Sequence, residues 1–215
     1  MTKPNLHARS KGRRPRAGNG RLRLVAGQWR GRRLPVPDLP GLRPTPDRVR
    51  ETLFNWLGPW VREARCLDLF CGTGALGLEA LSRGAAHCIF VERQPRAAQG
   101  LRDNLARLEA GSRARVIEGD VAALLAGPEV QPMDLVLLDP PFHQQWLERC
   151  LPLLETGWLA AEARVYVESA VDEPLPALPA HWHLHRQRRA GQVSYRLYHV
   201  DTGVRGPLEA PLELA

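Results

Sequence analysis

The chain has 215 residues, of which 44% are hydrophobic, and a formal net charge of +7. This suits one domain with an appendage and enough apolar content for a core, so a wholly disordered chain is excluded. No apolar run is long enough to cross a bilayer and no secretory leader is legible, so a cytoplasmic protein is expected, with nothing that demands a dimer.

The charge is unevenly placed. Residues 1–50 hold 14 Lys or Arg against 2 acids, Asp38 and Asp47, while the remainder holds 16 against 21. A strongly basic front on a mildly acidic body points to nucleic acid or another anionic surface, with a solubilising tail as the plainer alternative. Residues 1–20 are expected to be disordered, because they carry almost no large apolar side chain. Arg21 to Val25 alternates like a strand, Gln28 to Gly31 reads as a turn, and Arg32 to Val36 returns. The resulting hairpin carries Arg21, Arg23, Arg30, Arg32 and Arg33 with Trp29 at its tip. That set suits phosphate contact and base stacking, or else a charged outer face. Arg43 and Arg48 extend the basic set. Pro44-Thr45-Pro46-Asp47 starts a helix that ends near Leu57, before Gly58-Pro59, with Thr45 or Asp47 as its cap. Val49, Leu53, Trp56 and Leu57 share its apolar face. The expected division is a tail at 1–20, an RNA-binding hairpin and helix at 21–60, an α/β domain at 61–200 and a disordered tail at 201–215.

From Cys66 onward strands and helices alternate. Strands are expected near 66–70, 87–92, 114–118, 133–138 and 163–168, with helices near 74–83, 94–110, 120–126 and 143–156. Such alternation builds a parallel sheet. Two strands near 182–189 and 193–199, joined by Ala190-Gly191-Gln192, close the sheet with an antiparallel hairpin. The four cysteines lack metal-site spacing and read as reduced, buried thiols. His181, His183 and His185 alternate, and a solvated strand face outweighs a metal site for them. No metal is required.

Two stretches carry the chemistry. Asp68-Leu69-Phe70-Cys71-Gly72-Thr73-Gly74-Ala75-Leu76-Gly77 contains G-x-G-x-x-G between a strand and a helix, where backbone can approach a ligand closely. An acid before the glycines would repel a pyrophosphate and attract a cationic ligand. S-adenosylmethionine, with an ammonium and a sulfonium, fits that sign. Glu92, at the end of the next strand, is placed for ribose hydroxyls, and Asp120 after the third for an adenine amino group. The fourth strand ends in Asp139-Pro140-Pro141-Phe142, where the prolines stop the strand and hold the next backbone stiff. Any one of these acids could be a helix cap, but four on one rim of a sheet point to a ligand site.

These residues resemble the class I S-adenosylmethionine-dependent methyltransferases, and Asp139-Pro140-Pro141-Phe142 resembles the tetrapeptide of enzymes that methylate amino or amide nitrogens. Val25-Ala26-Gly27-Gln28-Trp29-Arg30-Gly31-Arg32, residues Leu42 to Trp56 and Ala190-Gly191-Gln192-Val193 resemble the RsmD family of bacterial 16S ribosomal RNA guanine-N2 methyltransferases. The likeness runs from about 21 to 199. Pro46 departs from it, standing where a second threonine is expected. The resemblance implies a Rossmann-like methyltransferase sheet with an N-terminal extension. It also implies S-adenosylmethionine bound by Asp68, Phe70, Gly72, Gly74, Glu92, Asp120 and Asp139, and catalysis at Asp139, Pro140, Pro141 and Phe142. The implied partner is 16S ribosomal RNA in a small subunit or an assembly intermediate. A methyltransferase on adenine N6 or protein glutamine, a nicotinamide dehydrogenase and a non-catalytic assembly factor are the alternatives.

Overall fold

The strands that end in acids are neighbours in one sheet. The structure, a computed structural model, describes residues 20–42, 44–128 and 131–203. Residues 1–19 and 204–215 of the expected tails, and Arg43, lie outside them. A short hairpin pairs β1 (Arg21–Arg23) with β2 (Arg33–Pro35), and α1 (Asp47–Leu57) follows. Then come β3 (Arg65–Asp68), α2 (Ala75–Ser82), β4 (His87–Glu92), α3 (Pro95–Arg107), β5 (Ala114–Glu118), α4 (Val121–Leu125) and β6 (Met133–Leu138). The chain continues through α5 (Trp146–Leu154), β7 (Leu159–Ala170), β8 (Trp182–Ala190) and β9 (Val193–Asp201).

The seven-stranded sheet has the order β5-β4-β3-β6-β7-β9-β8. Its first five members are parallel, and β9 and β8 are antiparallel. The central strands are buried on both faces, which is why Leu135 to Leu138 reads as an unbroken apolar run. Successive strands lead one way from β3 and the other way from β6. The carboxyl ends of β3 and β6 therefore flank the switch point, where a crevice opens in folds of this kind. One core layer joins the hairpin, α1 and α2 to the sheet, and the other packs α5 and Trp158 on the opposite face.

The hairpin is fastened to α2 by polar contacts that lie far apart in sequence. Buried Glu79 accepts hydrogen bonds from the backbone N–H groups of Val25 and Ala26 at 2.8 and 3.0 Å. It also accepts from buried Arg50 at 3.2 Å and from Arg83 at 2.8 Å. At Gly27 the two backbones press together so closely that a Cβ would sit 1.8 Å from the Ser82 carbonyl oxygen, so only glycine fits.

Several expectations are corrected. Trp29 is 7% exposed, and its ring is covered by Arg113 at 5.2 Å, so it packs inward instead of offering a face to a base. Arg23 is paired with Asp47 at 2.8 Å. Neither Thr45 nor Asp47 caps α1. Pro46 occupies that position without a side-chain bond, Asp47 is taken up by Arg23 and Arg50, and Thr45 turns elsewhere. The fifth parallel strand runs from Leu159 to Ala170, longer at both ends than expected, because Leu159 pairs with Met133 of β6 and Ser169 and Ala170 pair with β9. A register shift between Leu184 and Arg186 breaks the alternation of the histidines, and His181 stands 2.8 Å from Glu155. All four cysteines are buried free thiols. Among the described residues no helix is long and apolar enough to cross a membrane.

Candidate active site

A cleft of about 740 Å3 opens over the carboxyl ends of the sheet, a size that suits a nucleoside-sized ligand. Asp68, Phe70, Gly72, Glu92 and Asp120 line it on the β3–β4–β5 side. Asp139, Pro140, Pro141 and Phe142 line it on the β6 side, together with Thr45, Glu168 and Val193. The two stretches singled out in the sequence thus share one cavity.

Each acid is held by the turn that follows its strand. The Gly77 N–H donates to Asp68 Oδ2 at 3.0 Å, so the carboxylate also steadies the first turn of α2. Gly74, at φ +78° with no room for a Cβ beside Leu101, forms the tight turn between them and lies just behind the lining. Glu92 accepts from the N–H groups of Gly72 and Gln94 at 2.9 and 2.7 Å. Asp120 caps α4 through Ala123 and still faces the cleft, so cap and site residue are one group. The Thr45 hydroxyl donates to Asp139 Oδ2 at 3.4 Å, which ties the segment before α1 to the end of β6. Pro46 lines the same wall.

Among the described residues none of these acids has an ion pair, and at Asp68 and Asp139 the cost shows in acidity. Burial pushes the Asp68 carboxyl up to about 7, against the pull of the Gly77 N–H. Burial raises Asp139 to about 6, with Thr45 opposing. A cationic ligand would relieve both, whereas a pyrophosphate would meet a wall of carboxylates.

Glu168 was not legible as a site residue. It lies inside β7 and is 4% exposed, and Tyr166 Oη donates to it at 2.7 Å. Burial, reinforced by the Asp139 charge, pushes it up to about 8. Leu138 pairs with Val167, so Asp139 and Glu168 are the next neighbours in register at the mouth of the cleft. Glu168 was the last residue of the expected strand, and its register beside Asp139 places it at the rim. Of the basic residues, Arg21, Arg30, Arg32, Arg33 and Arg48 are exposed, and Arg32 also donates to the Arg107 carbonyl at 2.8 Å.

Residues 22–199 match a family model described as conserved hypothetical protein 95. The chain is 56% identical to ribosomal RNA small subunit methyltransferase D of Escherichia coli over 183 residues, covering 85% of this chain and 91% of that one. The chain belongs to the RsmD family. The Haemophilus influenzae member of the family is 48% identical over 182 residues, 83% of this chain and 94% of that one. The solved structure of Escherichia coli yhhF superposes with a TM-score of 0.77 at 54% identity, covering 85% of this chain and 99% of that one. A Salinibacter ruber RNA methyltransferase solved with S-adenosyl-L-homocysteine shares the fold at a TM-score of 0.56 and 16% identity, covering 78% of this chain and all of that one. The RsmD sheet of this chain is thus a mostly parallel class I methyltransferase sheet with an antiparallel end.

Proposed function

We propose that this chain transfers a methyl group from S-adenosylmethionine to the exocyclic N2 of a guanine in 16S ribosomal RNA, in the cytoplasm, on a small subunit or an assembly intermediate. The observation that carries the reading is Asp139-Pro140-Pro141-Phe142 at the end of β6, inside a cleft whose other wall is acidic. The family members named above are small subunit ribosomal RNA methyltransferases, which supports the substrate class.

The residues fit the cofactor. Among the described residues no cation pairs with buried Asp68, which is raised to about 7, the state expected of a carboxylate that awaits a positive group. Glu92 and Asp120 supply acceptors for ribose hydroxyls and an adenine amino group, and Phe70 and Gly72 form the loop against the ligand, with Gly74 shaping its turn from behind. When bound, S-adenosylmethionine supplies a methyl group on a sulfonium, a good electrophile.

The guanine amino nitrogen is a poor nucleophile because its lone pair is delocalised into the ring. Alignment and electrostatics are therefore what the protein contributes. Asp139 accepts one amino N–H, and the Pro140 carbonyl, held by the stiff Pro-Pro unit, accepts the other. Together they direct the lone pair across the cleft and offset the positive charge that grows on nitrogen as the N–C bond forms and the S–C bond breaks. Phe142 stacks on the extruded base. Glu168, beside Asp139, accepts the ring N1–H, a donor that adenine lacks. Residues 21–60 hold the RNA through the exposed arginines and position Thr45 against Asp139.

Incubation with labelled cofactor and small subunits, naked ribosomal RNA, DNA or protein tests the reading. Label is expected in 16S RNA, and label confined to DNA or protein would overturn it.

A further inference from the structure

The sheet ends in a strand whose composition the site does not explain. Residues 182–190 of β8 read Trp-His-Leu-His-Arg-Gln-Arg-Arg-Ala, with no acid, and residues 183–190 are all exposed. Among the described residues the strand pairs only with β9, and none pairs with its outer edge. Among the described residues no ion pair involves Arg186, Arg188 or Arg189, whereas Arg23 and Arg50 of the N-terminal extension are paired with Asp47. Such a cationic edge discourages strand-on-strand aggregation, and that alone would account for scattered charges.

The register gives the charges an arrangement. Arg188 pairs with Tyr195, which pairs with Glu168. Arg186 pairs with Leu197 and Tyr166, and His183 with His199 and Arg164. Residues in one such row share a face of the sheet. This is the face covered by α1, since Trp56 stacks on Tyr195 at 5.4 Å between ring centres. Arg189 pairs with Ser194 and Ser169 and belongs to the opposite face. The strand climbs to the rim, and Val193, just past its closing turn, lines the cleft. At the foot of the column Arg164 lies over Trp60 at 4.0 Å, and Trp60 is 41% exposed. A row of cations beside an open aromatic ring, leading to a catalytic mouth, is the pattern of a single-stranded nucleic-acid track.

We propose that the RNA strand flanking the target nucleotide runs along this edge, with its phosphates on Arg186 and Arg188 and the Arg164–Trp60 pair at its far end. The proposal rests on RNA being the substrate. Charge complementarity and continuity with the cleft select a nucleic-acid backbone as the occupant. The track explains how a cleft with acidic walls receives a polyanion: the cations stand outside it, along the approach.

Arg189, on the other face of the same strand, is the internal control. Arg186→Glu/Arg188→Glu and Arg189→Glu are compared with the unaltered chain in methyl transfer to small subunits and in equilibrium binding of those subunits across a salt series. For the double variant the KM is expected to rise about 10- to 100-fold, and the slope of log affinity against log salt to fall by ~1.4, as for two lost single-strand phosphate contacts. The kcat and the cofactor affinity are expected to stay within about twofold, and Arg189→Glu to leave all four quantities within about twofold. An unchanged KM and slope in the double variant would overturn the track. An equal loss in Arg189→Glu would reduce it to overall charge and overturn it as well. Because binding is read apart from turnover, a chain that binds subunits through Arg186 and Arg188 but methylates another atom contradicts the guanine reading alone.

Discussion

Glu79 and the rim acids Asp68 and Glu168 are almost equally buried and serve opposite ends. Glu79 is fully enclosed with Arg50, and Arg83 and two backbone N–H groups complete its shell. Asp68, at 1% exposure, has one backbone N–H and no described cation, and Asp139 and Glu168 have one hydroxyl each. Burying a charge is costly unless it is paired. The first cluster meets that condition within the chain and fixes how the N-terminal hairpin sits on α2. The rim leaves the condition unmet, and its carboxyls are raised toward neutrality as a result. A buried acid with partners is architecture, and a row of buried acids without them is a binding site for something positive.

Removing Asp139 makes the largest difference. Asp139→Ala is expected to lower methyl transfer by at least ~100-fold, the size of effect seen when one aligned polar group is deleted from a reacting centre. Cofactor binding, followed by titration, is expected to survive. Retained turnover would place the amino group elsewhere. On the architectural side, Arg50→Met leaves Glu79 short of a buried partner and is expected to cost about 3–5 kcal/mol in denaturant unfolding. Arg50→Met with Glu79→Leu is expected to recover part of that loss, and no recovery would mean that the pair does not act as a unit.

Asp68→Asn separates binding from stability. Cofactor affinity is expected to fall at least about tenfold, or ~1.4 kcal/mol. In the unaltered chain affinity is expected to weaken as pH drops through about 7, because a protonated Asp68 no longer attracts a cation. Stability runs the other way. A carboxyl raised in the folded state contributes fully below its unfolded value, near 4, and loses that contribution as pH rises through its folded value. The ligand-free protein is therefore expected to lose stability between about pH 4 and 8, and Asp68→Asn to be the more stable form at pH 8. A flat profile in thermal melts would mean that Asp68 is not under strain.

Glu168→Gln tests the newcomer at the rim. At about pH 9, where Glu168 is ionised, the unaltered enzyme is expected to be at least about tenfold slower with 2-aminopurine, which keeps the N2 amino group but has an unprotonated N1, than with guanine. The variant amide can donate to that N1, so the gap is expected to close, as befits one hydrogen bond to a base edge. An unchanged ratio would leave Glu168 a purely structural partner of Tyr166. The smallest effect is expected from charge reversal at Arg30, Arg32 and Arg33, which do not line the cleft. RNA affinity should weaken with a shallower salt slope while kcat stays unchanged. Equal affinity across a salt series would remove the hairpin from the RNA contact.

What the sequence disclosed follows from range. Asp68, Glu92, Asp120 and Asp139 were legible because each closes a strand with its own turn, a pattern contained in a few neighbouring residues. The parallel sheet followed from the alternation of elements, and the closing hairpin from Ala190-Gly191-Gln192. Long-range pairings left no local trace. Arg50 meets Glu79 across 29 residues, and Thr45 meets Asp139 across 94. Trp29 was misplaced because an aromatic at a turn reads as a tip, and only Arg113 and Ser82 reveal that it packs inward. Glu168 escaped notice because no glycine or proline turn follows it to mark a strand end, and its place at the rim comes from its register beside Asp139.

The most direct test is to incubate the enzyme and S-adenosylmethionine with small subunits that lack the modification, digest the RNA and identify the methylated nucleoside by mass spectrometry. N2-methylguanosine at a single position in 16S RNA, lost with Asp139→Ala, is the predicted result. N6-methyladenosine, or the same N2-methylguanosine made by the Asp139→Ala variant, would contradict the account.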